Sequence, residues 1–109
     1  MHHVYHLIDP QTRAVRYVGK SRTPRARLRA HIQEAAIRQN TEKQAWIASL
    51  IARGLSPVLV IVASFPDEPA ARLRESAEVH QHLATALNQH DPAKGAKDLR
   101  RAPKRPANP

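Results

Sequence analysis

Bulky and polar residues alternate from Val4 to Ile8, the period of a half-buried strand, and Ala14 to Val18 reads as the return strand. Between them Asp9-Pro10-Gln11-Thr12 carries turn chemistry, so residues 3–19 are expected to form a hairpin that Gly19 ends. The pattern then changes period. Thr23-Pro24 reads as a helix start, a hydroxyl at the N-cap followed by proline at N1, and Leu28, Ile32, Ala35 and Ala36 share one face of a helix running to about Arg38. Thr41-Glu42-Lys43-Gln44 has the spacing of a capping box and opens a second helix. Its apolar stripe is Trp46, Ile47, Leu50 and Ile51, and Gly54 is a suitable stop. After Pro57, the continuous apolar run from Val58 to Val62 predicts a central strand buried on both faces. Phe65-Pro66-Asp67-Glu68-Pro69 starts a third helix, with Leu73, Ala77, His80, Ala84 and Leu87 at helical spacing. The order β-β-α-α-β-α predicts an α+β fold: a small three-stranded sheet, mixed or antiparallel, flanked by helices.

Composition bounds what such a fold can be. A chain of 109 residues supports one domain, expected over residues 1–90. From Asp91 onward four prolines, one glycine and a single large aliphatic residue predict a basic disordered tail over residues 91–109. The absence of cysteine excludes disulfides, thiolate metal sites and thiol nucleophiles. No apolar run is long enough to cross a bilayer and the first residues lack a signal peptide's apolar core, so a cytoplasmic protein without a membrane partner is expected.

Charge adds a partner class. Against 9 acidic residues stand 18 Lys and Arg, a net charge of +9 that points to a polyanion. The excess is uneven. Arg13, Arg16, Lys20, Arg22, Arg25, Arg27 and Arg29 fall in one stretch without an acid, whereas residues 42–90 hold four basic and five acidic residues. The tail, with six basic and two acidic residues, reads as a generic phosphate contact.

Within the basic stretch lies a more specific pattern. His3-Val4-Tyr5, eleven further residues and then Tyr17-Val18-Gly19-Lys20 are followed by Arg27 on the first helix. Glu75 lies on the third, with Ala71 four residues before it and Val79 four after, and Leu87-Asn88 follow. This set resembles the GIY-YIG nuclease superfamily over residues 3–90, with His3 where that family's first motif has its glycine. The resemblance implies a metal-dependent DNA endonuclease leaving 5′-phosphate and 3′-hydroxyl ends. Arg27 would hold the scissile phosphate, Glu75 a Mg²⁺ or Mn²⁺ ion, and Tyr17 or Tyr5 would activate water, with Tyr17 favoured as the base. Gly19, Lys20, Arg22, Arg25, Arg29, His31 and Asn88 would line the nucleic-acid surface. The residue chemistry agrees: Glu75 offers the oxygen ligand a hard divalent ion prefers, and Arg27 a permanently charged fork for phosphate. A tyrosine serves as base only if its pKa falls from about 10, and Lys20 and a metal would push it that way.

Other readings accompany these. Glu78 competes with Glu75 as ligand, and Glu75, Glu78 and His82 at i, i+3 and i+7 could form a two-carboxylate-plus-histidine metal site. His31 is either a phosphate-orienting group, an alternative base, or a partly exposed helix residue. Asn88 either supports the site or caps the last helix. A non-catalytic nucleic-acid-binding module with the same fold, or a basic assembly protein, accounts for the charge without requiring Tyr, Tyr, Arg and Glu together. The partner is expected to be DNA, with RNA left open. A domain this small has little room to choose its target, so either cleavage is weakly specific or a homodimer or protein partner supplies the choice.

Overall fold

The computed structural model describes residues 1–88; the expected basic tail lies outside them. The elements are β1 (His2–Ile8), β2 (Val15–Ser21), α1 (Pro24–Ile37), α2 (Glu42–Ala52), β3 (Val58–Phe65) and α3 (Glu68–Gln81), in the order the sequence predicts. The sheet is antiparallel throughout, with strand order β2-β1-β3. No helix among the described residues is long and apolar enough to cross a membrane.

Local chemistry accounts for much of this. The Asp9 carboxylate accepts from the Gln11 and Thr12 amides, folding the hairpin turn, and its other oxygen takes the Trp46 indole N–H at 3.0 Å, tying α2 to that turn. Arg13 completes the turn at φ 68°. The capping box at α2 forms in full: Thr41 accepts from the Gln44 amide while the Gln44 side chain accepts from the Thr41 N–H. Gly54, at φ 75°, ends α2 in a Schellman arrangement, with Leu55 N–H donating to Leu50 O and Gly54 N–H to Ile51 O. At α1 the expected side-chain cap does not form. Thr23 occupies the N-cap without using its hydroxyl, and proline at the helix start removes one donor that would need a partner.

Three expectations are corrected. Gly19 lies inside β2, paired with Tyr5, rather than ending the hairpin. The central strand is β1, not β3; β3 is an edge, and Val58, Val60 and Ile61 are 40–47% exposed. The polar side chains of β1 find partners on other elements, His3 on Ser64, Tyr5 on His31 and His6 on Glu78, so they do not force that strand to the surface. Finally, α3 presents a different face. Ala71, Glu78 and Val79 are buried, whereas Leu73 is 75% exposed, Ala77 and His80 face solvent, and the helix ends at Gln81, before Ala84 and Leu87. A smaller shift affects α1, where His31 and Ala35 are buried and Ala36 is not.

The sheet has two differently used faces. Val4 and Val18 pack with Ala71 and Val79 of α3, backed by Val15, Val62 and Phe65. Because successive strand residues point to opposite faces, Tyr5 and Tyr17 face the other way, where His31 of α1 meets both.

Candidate active site

Tyr5 and Tyr17 come from the central strand and its hairpin partner, their rings 6.4 Å apart between centroids. Gly19 sits opposite Tyr5 because any side chain there would occupy the ring's place: a Cβ would lie 2.4 Å from the Tyr5 Cζ and Oη. This contact gives the Tyr-Val-Gly spacing a direct physical cause. The Tyr5 hydroxyl meets His31 Nε2 at 3.1 Å, and the Lys43 ammonium meets His31 Nδ1 at 3.1 Å. A protonated lysine can only donate, so His31 Nδ1 accepts from Lys43, and the ring proton on Nε2 points at the Tyr5 oxygen. That leaves the Tyr5 O–H to donate to a partner other than His31. Burial and the charges of Lys43 and Arg27 keep His31 neutral, its pKa pushed down to about 4. The residue is fully buried, so it supports the surface through Tyr5 and Lys43 instead of touching a nucleic acid itself.

Lys43 also lies 4.9 Å from the Tyr17 ring centroid and 3.8 Å from a Glu34 carboxylate oxygen. Neither it nor Glu34 is singled out by sequence spacing, since only the packing of α2 on α1 brings them here. Together Tyr17, Arg27, Glu34, Lys43, Leu87 and Asn88 line most of a cleft of about 250 Å³. A cleft of about 430 Å³ between the hairpin turn and β3 contains none of the sequence-predicted site residues.

Burial raises the pKa of both tyrosines above the ordinary phenol value, for Tyr5 strongly, while the Arg27 charge opposes it in each case. The expected role of Lys20 in lowering the phenols is not observed. Its ammonium instead pairs with Glu68 at 3.0 Å and lowers the pKa of Glu68 and, against burial, that of Glu75. The net effect on Glu75 is a raised pKa, with burial the largest cause. Its charge, on α3, is among the smaller causes that raise both phenols.

Among the described residues, neither Arg27 nor Glu75 makes an ion pair, and Glu75 has no side-chain hydrogen bond. Glu78 differs: one oxygen accepts from His6 at 2.7 Å and the other from Arg74 at 2.8 Å. The proposed grouping of Glu75, Glu78 and His82 does not form, for Glu78 and His82 gather with His6 while Glu75 stays outside that cluster. Asn88 does not cap α3. Its side-chain oxygen accepts from the Val18 N–H at 3.1 Å and its amide donates to the Val18 carbonyl at 2.8 Å, so it holds β2 as a neighbouring strand would. Arg22, Arg25 and Arg29 are exposed. At about 100° per residue Arg25 lies roughly 160° around α1 from Arg27, with Arg29 near it, so the basic run divides over two sides of the helix.

Comparison with known proteins finds no matching family model, no matching curated protein and no matching solved structure.

Proposed function

We propose that this chain is a metal-dependent endonuclease of the GIY-YIG type, hydrolysing DNA phosphodiester bonds to leave 5′-phosphate and 3′-hydroxyl ends. What carries this reading is the set of Tyr5, Tyr17, Arg27 and Glu75, held on four separate elements, with the charges of Arg27 and Glu75 acting on both phenols and, among the described residues, neither charge in an ion pair. Structural ion pairs would join these last two charges to neighbours, as Lys20 is joined to Glu68.

Each residue has a distinct part. Arg27, exposed and permanently charged, clamps the scissile phosphate, with Lys20 and Arg22 at the margin, while Arg25 and Arg29, on the other side of α1, stand away from that phosphate. Tyr5, buried like His31, receives the His31 N–H and positions the site from beneath, its own O–H left to order water next to Tyr17. The Tyr17 hydroxyl has no hydrogen-bond partner among the described residues and serves as the base that takes the water's proton. Asn88 and Gly19 fix the strand that carries it.

The half-buried Glu75 carboxylate fits a hard divalent ion, Mg²⁺ or Mn²⁺, as one oxygen ligand completed by phosphate and water. When bound, such an ion supplies the positive charge that lowers the Tyr17 phenol and stabilises negative charge on the phosphate and the leaving oxygen. Arg27 acts in the same direction on both tyrosines.

The test is nicking of supercoiled plasmid by the purified protein with Mg²⁺ or Mn²⁺, comparing wild type with Glu75→Ala. Nicking by wild type alone supports the proposal. Equal binding without nicking by either assigns the chain to a non-catalytic nucleic-acid-binding module, and equal cleavage by both removes Glu75 from the metal site.

A further inference from the structure

On the face of β1 opposite the tyrosine pair, His6, Glu78 and His82 bring their donor atoms within 4.8 Å of one another. His6 Nε2 lies 2.7 Å from Glu78 Oε1, and His82 Nε2 lies 3.8 Å from the same oxygen. The first distance is a hydrogen bond. The second is too long for one, and the two imidazoles meet edge to face with centroids 4.9 Å apart. His6 and Glu78 are buried, and His82, in the turn that follows α3, is half-buried.

We propose that His6, Glu78 and His82 form a second, structural metal site for a borderline divalent ion of the Zn²⁺ class. Two imidazole nitrogens and one carboxylate oxygen suit Zn²⁺, Co²⁺ or Ni²⁺ far better than the all-oxygen preference of Mg²⁺. Ligand atoms around a tetrahedral Zn²⁺ stand roughly 3.3 Å apart, given bonds of about 2.0–2.1 Å. The observed 2.7 and 3.8 Å bracket that spacing, and His82 lies beyond the last helical residue, where a small adjustment costs little. Arg74 Nε donates to Glu78 Oε2 at 2.8 Å, turning Oε1 toward the imidazoles as an outer partner of a metal-bound carboxylate does. The half-exposed side at His82 gives the ion its entry path and leaves the fourth position for water.

The site ties the C-terminal end of α3 to the central strand. His6 is the residue after Tyr5, and Glu78 lies one turn beyond Glu75, so an ion here fixes the helix and strand from which the tyrosine and glutamate project. This proposal does not rest on the nuclease reading; it requires only that the three side chains meet.

Co²⁺ titration of the metal-free full chain, followed by visible absorption and by thermal unfolding, tests it. The expected result is one Co²⁺ per chain, d–d bands of a tetrahedral nitrogen and oxygen site, displacement by Zn²⁺ and a Tm raised by several degrees. His82→Ala, at a half-buried position, is expected to keep the far-UV spectrum and lose both the bands and the Tm rise, with the milder His82→Asn behaving alike. His80→Ala, at an exposed position outside the cluster, is expected to bind as wild type does. Absence of saturable binding to the folded wild type, or binding that survives both His82 variants or is lost with His80→Ala, overturns the proposal.

Discussion

Replacing Gly19 by alanine places a methyl group where the Tyr5 ring lies. The added carbon would sit 2.4 Å from Cζ and Oη and 2.8 Å from Cε2, so about 1 Å of displacement is needed to reach ordinary contact. The ring has nowhere to retreat. Tyr5 is 1% exposed, its hydroxyl is held by His31 and its other neighbour is Tyr17. Overpacking of this kind costs about 1–3 kcal/mol. Urea unfolding followed by Trp46 fluorescence, the chain's single tryptophan, measures the loss for Gly19→Ala. The same substitution is then repeated in two backgrounds. Tyr5→Phe keeps Cζ and Cε2, so alanine at position 19 should cost nearly as much as in wild type. Tyr5→Leu has no ring to reach across β2, so the cost there should fall below about 0.5 kcal/mol. A loss of equal size in all three backgrounds would refute the contact, as would a Gly19→Ala protein as stable as wild type.

Two further perturbations probe the supports of the site. His31 titrates at about 4 in the folded chain and at an ordinary 6.5 when unfolded, so the unfolded chain binds the extra proton between those values. Its contribution is therefore complete above 6.5 and is lost as pH falls toward 4, by up to about 3 kcal/mol, and His31→Gln should flatten that window in urea unfolding; an unchanged slope would contradict a buried neutral imidazole. Asn88→Ala removes both hydrogen bonds to the buried Val18 backbone and should cost about 1–3 kcal/mol by the same measurement, whereas unchanged stability would mean that the β2 clamp is dispensable.

What the sequence discloses here follows from the range of the interactions involved. The hairpin turn at Asp9, the capping box at Thr41 and the helix stop at Gly54 are local, closing within a few residues, and their residues announce them. The element order follows from such signals. Strand placement does not: the apolar run from Val58 suggests a core strand, but the centre of the sheet goes to a strand holding three histidines and a tyrosine. That outcome depends on His31, Ser64 and Glu78, which lie 26, 61 and 72 residues from their partners on β1. The same reason hides the buried face of α3, where Glu78 is inside because His6 and Arg74 satisfy it, while Leu73 at a helical repeat stays outside. Tyr5, Tyr17, Arg27 and Glu75 were legible as a motif. Lys43, and His6 as the partner of the helically spaced Glu78 and His82, were not, since only the tertiary packing brings them there.

The most direct test of the proposed chemistry is single-turnover cleavage of an end-labelled DNA duplex at saturating protein, with Mg²⁺ or Mn²⁺, measured beside binding affinity. Wild type is expected to give metal-dependent cleavage with 5′-phosphate and 3′-hydroxyl ends. Arg27→Lys and Glu75→Gln should bind nearly as well but cleave at least about 10²-fold more slowly, because the first replaces the two-point guanidinium fork by a single-point ammonium and the second removes the carboxylate that would hold the ion. Saturated binding by wild type without product, or cleavage by both variants at the wild-type rate, would contradict a nuclease centre built from these residues.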